Sequence, residues 1–261
     1  MKGSIAFVLL SFCPFFFVSC APRVFSRPTG AGVPAPEAPA IFKTATASCA
    51  TVASDAPTMT LAGGRIDGRG IPSLRVVGAL TTRGEIRLDA DYNTRPVFAI
   101  SGTADRAQFV LYPIDSSQPE LVTATPNDII DALLGLKLAP SQLLEVLTGC
   151  VSARESPASG ERHGKRLALR SGDNVVYLEE RNKTWRVAGA DLPGMQIDYR
   201  AFDGSWPSEV VMVSTSRSAA IRLRIRDHII NSPDLSPATF EIRPVQGART
   251  ITLDELRKRF Q

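Results

Sequence analysis

Histidine is nearly absent from the chain: His163 and His228 are the only two in 261 residues. Cysteine is sparse as well, at positions 13, 20, 49 and 150, and no two fall in a CxxC pair. There is no HExxH, GxSxG or P-loop, so the patterns that announce a zinc site, a nucleophile elbow or a phosphate cradle are missing. His163 lies in the polar stretch Gly160–Lys165 and reads as a solvated turn residue, and His228 ends an Arg-rich strand. Glu179 and Glu180 are consecutive strand positions, so they point to opposite faces and cannot work jointly. Asp254 and Glu255 suit the first turn of a helix, where acidic residues complement the dipole. These absences point away from an enzyme and imply no cofactor and no metal. The formal charge is +4, or +3 once a leader carrying Lys2 is removed. The arginines alternate with apolar residues instead of clustering and no aromatic platform interleaves them, so the basicity reads as a solvated sheet face and not as a nucleic-acid footprint. No apolar run reaches the roughly 20 residues of a membrane-spanning helix.

What is present begins with a leader. Lys2 gives a positive start, and Ile5 to Val18 is an apolar run of signal-peptide length. It ends in Val18-Ser19-Cys20, which resembles the bacterial lipobox. That resemblance implies cleavage before Cys20, a diacylglyceryl thioether on its sulfur and a membrane anchor of two or more chains. The alternative is an ordinary secretory leader cut elsewhere. Pro22, Pro28, Pro34, Pro36 and Pro39 follow among Gly, Ala and Ser, so residues 21–45 read as a semi-rigid tether. Under the sorting rule for such lipoproteins, Ala21 in place of Asp implies the outer membrane, with the domain facing the periplasm.

From Thr58 the chain alternates with period two. Met59–Arg65, Ser73–Leu80, Glu85–Asp91, Pro96–Gly102 and Gln108–Tyr112 read as strands, separated by turn residues at Gly63-Gly64, Asp67-Gly68, Arg83-Gly84, Asn93 and Ala104-Asp105. The period then changes. Thr125 can cap a helix opened by Pro126, with Asp128 in the capping-box position and Gly135 as its stop. Pro140 opens a second helix that Gly149 ends. Ile129, Ile130, Leu133 and Leu134 form the apolar stripe of the first helix, and Leu143, Leu144 and Leu147 that of the second. Alternation resumes over Arg166–Arg170, Asn174–Glu180, Thr184–Ala188, Gln196–Phe202, Glu209–Ser214 and Ala219–Asp227. Thr252 and Glu255 form a capping box for a C-terminal amphipathic helix within 246–261.

The order of these elements, strands then a leucine-rich helical pair then strands again, resembles the LolA/LolB family of lipoprotein-localisation proteins. The segment DIIDALLGLKLAPSQLLEVLTGC, Asp128 to Cys150, resembles the lid region of LolB-like proteins. Gly84–Leu88 and Pro96–Ile100 resemble the paired strands before it. The resemblance covers residues 46–245 and implies a mainly β (α+β) fold: a half-open antiparallel β-barrel covered by a helical hairpin at 126–149. It implies acyl-chain binding, of lipid or lipoprotein cargo, beneath a lid formed by the seven stripe residues. The other reading of those residues is that they simply complete the core.

Two cysteines remain after the leader and the anchor. Cys49 and Cys150 are an even pair in an oxidising compartment, which predicts a disulfide from the pre-barrel segment to the end of the lid hairpin. Two buried free thiols are the alternative. Two functions therefore stand: a lipid- or lipoprotein-binding envelope lipoprotein, or a non-catalytic structural lipoprotein of an envelope assembly with the same fold and a filled core.

Overall fold

A computed structural model describes residues 26–52, 58–68, 71–113, 118–153, 155, 157, 159–215, 220–230 and 235–260. The leader and Cys20 lie outside these residues. In chain order the elements are β1 (Val33–Pro34), α1 (Ala38–Ala45), α2 (Cys49–Val52), β2 (Thr58–Gly68), β3 (Ile71–Thr81), β4 (Ile86–Tyr92), β5 (Arg95–Gly102), β6 (Ala107–Leu111) and β7 (Glu120–Ala124). Next come α3 (Pro126–Leu134), α4 (Pro140–Thr148), β8 (Ser159–His163), β9 (Arg166–Ser171), β10 (Asn174–Arg181), β11 (Thr184–Leu192) and β12 (Met195–Asp203). The chain ends with β13 (Trp206–Ser214), β14 (Ala220–Arg224), β15 (Asp227–Ile230), a 3-10 turn (Pro237–Phe240), β16 (Arg249–Thr250) and α5 (Leu253–Phe260).

Two antiparallel meanders, β2 to β7 and β8 to β14, join through the β14–β2 ladder into one sheet. The sheet does not close. Its free edges are β7 and β8, and each is covered by a two-residue strand from nearer a terminus: β1 pairs with β8, and β16 runs parallel to β7. Covering the edges blunts a template for unwanted strand pairing. The α3–α4 hairpin connects the two edges, with α3 against β6 and β7 and α4 against β3 and β13, while α1 lies against β8, β9 and β11. The molecule is thus a half-open antiparallel barrel with helices on its concave face. Burial follows the alternation: Ile221, Leu223 and Ile225 are buried, whereas Arg224 and Arg226 are exposed and Arg222 is half-buried.

The hairpin helices start and stop where their sequences dictate. The Thr125 hydroxyl accepts from the Asp128 amide (3.3 Å) and donates to its carboxylate (2.7 Å), and Gly135 takes the left-handed conformation that ends α3 (φ 64°). Gly149 ends α4 in the same way (φ 71°). In α5 the Thr252 amide donates to Glu255 (2.7 Å) while the Glu255 amide donates to the Thr252 hydroxyl (3.2 Å), a closed capping box.

The structure corrects the reading of residues 26–45 as tether. Ala35, Ala38 and Phe42 are buried in the main core. The prolines sit where proline is tolerated: Pro34 on an edge strand and Pro39 in the first turn of α1. Ahead of α1 the chain is strapped to the sheet. Arg27 pairs with Asp191 (2.5 Å) and its guanidinium lies 5.9 Å from the Tyr177 ring, whose hydroxyl donates to the same carboxylate (2.7 Å). Burial, then the bond to Asp191, push the Tyr177 phenol up to about 12.

Other departures are local. Gly63 and Gly64, read as a turn, lie inside β2 at a register shift. The stretch 219–227 is divided between β14 and β15. His163 ends strand β8 instead of standing in a solvated turn; its side chain is only 13% exposed and packs on Gly32, where an added Cβ would lie 2.6 Å from Nε2. The stretch 246–261 holds β16 before the helix.

Candidate functional site

The lid stripe is the first place to look for a binding surface. Ile129, Ile130, Leu143, Leu144 and Leu147 are all buried, and Leu133 and Leu134 are half-buried against them. They share one cluster with Leu80, Ile86, Ile100, Phe109, Val210 and Met212 from the sheet. The structure therefore brings all seven lid residues to the concave face, packed against the barrel wall. Cys49 and Cys150 are joined by a disulfide (S–S 2.13 Å, Cα–Cα 5.5 Å), which ties the start of α2 to the residue after the α4 cap.

Open space lies at the margins of this packing. A cleft of about 680 Å³ separates α1 and the start of α2 from α4, with Phe42, Cys49, Cys150 and Pro157 in its lining. A more polar cleft of about 540 Å³ lies between the α3–α4 connection and the β11–β12 turn. A third, of about 560 Å³, lies between α1 and the ends of β11 and β12, with Ile41, Ala45, Trp185, Val187 and Phe202 as its apolar lining. Volumes of this order suit small ligands.

The third cleft exists because the sheet forks there. The β11–β12 ladder runs only from Leu192/Met195 to Gly189/Asp198. Beyond that point Thr184–Val187 pair only with β10, and Tyr199–Asp203 only with β13. A bulge lies beside the fork on each strand, at Ala188 against β10 and at Arg200 against β13. Bulges bend and twist the strand that carries them, which is the local cause of the parting.

Charge at this cleft is one-sided. Glu37 is the carboxylate in its lining, and Arg162 binds it at 2.7 Å while stacking 5.4 Å from the Trp185 ring. The hydrogen bond from Arg162 holds the Glu37 carboxyl below the usual carboxylate range. Lys183 and Arg186 contribute the other two charges, both exposed. The Arg186 guanidinium lies 5.2 Å from the Phe202 ring, so it reaches across the fork from β11 to β12. At the fork's apex Tyr199 is 3% exposed, and its hydroxyl has no hydrogen-bond partner among the described residues. Burial drives its pKa far above the ordinary phenol range, and the charge of Glu145 adds to the effect. Among the described residues no three His, Cys, Asp or Glu side chains come together as a metal site.

Ile41, Trp185, Val187 and Phe202 went unnoticed in the sequence as site residues. Their signal was weak: Trp185 and Val187 share one face of an alternating strand, as any core pair would. Nothing in the pattern marks the fork.

No family model and no curated protein matches the chain. Solved structures do align with it. A LolA superfamily protein from Nitrosomonas europaea aligns over 72% of this chain and 89% of its own, at 12% identity and a TM-score of 0.40. An outer membrane lipoprotein-sorting protein domain from Vibrio parahaemolyticus aligns over 76% and 95%, at 10% identity and a TM-score of 0.38. A DUF1329 family protein from Desulfovibrio piger aligns over 77% and 95%, at 10% identity and a TM-score of 0.37.

Proposed function

We propose that this chain is a lipoprotein of the bacterial envelope, anchored through an acylated Cys20 at the outer membrane and facing the periplasm, whose half-open barrel takes up an acyl chain of a lipid or lipoprotein. The observation that carries the reading is the apolar cleft at the fork, where Ile41, Trp185, Val187 and Phe202 meet on the concave side of the sheet. Burying an acyl chain contributes about 0.8 kcal/mol per CH₂, so such a site needs apolar walls and no catalytic group. The lipobox-like Val18-Ser19-Cys20 supports the anchor.

Two experiments test the two halves of the reading. Cells fed radiolabelled palmitate should label the chain and lose that label in Cys20→Ala; label that survives the substitution removes the anchor from the account. The full chain in neutral-lipid nanodiscs should be labelled saturably by a photoactivatable acyl probe, and Trp185→Ala/Phe202→Ala should cut that labelling about tenfold or more. Unchanged labelling in a folded double variant would place the acyl chain elsewhere.

A second reading is supported by the burial of the lid stripe. With Ile129, Leu143, Leu144 and Leu147 packed on the barrel wall, the same chain suits a non-catalytic structural subunit of an envelope assembly. Failure of all acyl labelling, with a protein partner recovered by cross-linking in cells, would favour it.

A further inference from the structure

We propose that the fork between β11 and β12 is a side port for a single-chain amphiphile with an anionic head, its tail in the cleft and its head held by Lys183 and Arg186. The proposal rests on the acyl-binding reading and adds the entry route and the chemistry of the ligand.

The geometry argues for a port. Along an intact antiparallel sheet each strand interior is sealed by the next ladder, and here the seal stops at Gly189/Asp198. The parted segments, Thr184–Val187 and Tyr199–Asp203, lead to the end of the barrel where the β10–β11 and β12–β13 turns lie. Trp185, Val187 and Phe202 bring apolar surface to the two sides of the opening, and α1 closes its back with Ile41 and Ala45. The far end of the barrel, at the β11–β12 turn, is paired to its last residues and is lined more by polar groups, including Lys137, Gln142 and Asn174.

The charges argue for the head group. Glu37 is engaged by Arg162. Glu179, opposite Arg186 in the β10 ladder, is shared by Arg181 (2.6 Å) and Arg166 (3.4 Å). Asp203 ends β12 across the fork but does not line the cleft. Lys183 and Arg186 thus line the mouth as two cations, with Glu37 and Glu179 engaged by other arginines and Glu180, opposite Trp185 in the β10 ladder, outside the cleft's lining. A guanidinium held over an aromatic face by cation–π attraction keeps its N–H groups available to bind a carboxylate or phosphate bidentately. Tail-first entry would leave such a head at the mouth, beside both cations and in water.

The test compares two photoactivatable probes of equal chain length, a fatty acid and the corresponding fatty alcohol, on the full chain in phosphatidylcholine nanodiscs. Labelled peptides are mapped by mass spectrometry. The proposal expects the acid to label peptides carrying Trp185 or Phe202, with half-saturation about tenfold below that of the alcohol. In Lys183→Ala/Arg186→Ala the difference should shrink to about twofold or less, while alcohol labelling stays as in the parent. Both substitutions are at exposed positions, so the variant should keep its fold, which circular dichroism checks. Equal half-saturation for acid and alcohol, a preference that survives the double substitution, or label confined to the other clefts overturns the port and leaves acyl binding standing. Absence of any saturable label overturns both.

Discussion

At the scale of single residues, Leu144 closes the core, whereas Tyr199 buries a hydroxyl with no partner among the described residues. Leu144 is 1% exposed and belongs to the main cluster. Leu144→Ala should destabilise the domain by about 2–5 kcal/mol, read from the urea midpoint at constant m-value. A loss below about 1 kcal/mol would show the lid helix to be loosely packed. Tyr199 behaves in the opposite sense. Its hydroxyl is desolvated with no partner among the described residues, and such a group costs about 1–3 kcal/mol. Tyr199→Phe should therefore be neutral or stabilise by about 1 kcal/mol, and a clear destabilisation would reveal a partner for the hydroxyl. The lid residues were legible in the sequence because helical spacing and capping are local properties. Tyr199 was not, because whether a hydroxyl meets a partner depends on α4 packing across the sheet.

Among elements, the meanders, the hairpin and the α5 capping box were legible, since turn residues and period mark them. Residues 26–45 depart from the tether expectation for a physical reason: proline density does not exclude regular structure when Pro34 and Pro39 occupy an edge strand and a first helical turn, where the missing N–H costs nothing. The strands β7 and β8 beside the hairpin escaped because Glu120–Ala124 is short and Ser159–His163 is polar. Glu120 is also the anchor of the C-terminal element. Its buried carboxylate accepts from Arg249 (2.6 Å) and Arg259 (2.5 Å), while Arg257 reaches Asp131 of α3 (3.4 Å). Glu120→Gln should lower stability by about 1–2 kcal/mol and raise amide exchange over 249–260 more than elsewhere; uniform exchange would mean that α5 is held by its apolar face alone. The capping box predicts a pH effect in the same element. Hydrogen bonds from the Thr252 amide and hydroxyl lower the folded Glu255 pKa below 4.5. Its contribution is fully present above the unfolded value near 4.5 and is lost as pH falls through the lower folded value. Glu255→Gln should flatten the acid limb of the exchange rates in α5, and an unchanged limb would contradict the assignment.

For the whole molecule, long-range ties among the described residues include the strap at Arg27, the Arg162–Glu37 pair, the Glu120 clamp and the disulfide between α2 and the end of α4. The disulfide closes a loop over a sequence separation of 101 residues. A loop of about 100 residues is worth up to about 4–5 kcal/mol in the chain-entropy model, so Cys49→Ala/Cys150→Ala should lose several kcal/mol and become insensitive to reductant. The strap also sets reach. With Cys20 acylated, the six Cα–Cα steps from it to Ser26 would span at most about 22 Å, so the barrel would stand beside the bilayer and not far above it. The half-open barrel as a whole was legible from element order. Its fork was not, because the parting of β11 from β12 comes from bulges against their outer partners, which alternation does not encode.

Acyl-chain uptake is the central claim, and native mass spectrometry of the full chain released from detergent measures it most directly. The account predicts one non-covalent acyl lipid per chain beyond the covalent anchor, lost in Trp185→Ala/Phe202→Ala. A folded wild-type chain that carries its anchor alone, before and after incubation with excess fatty acid, would contradict it.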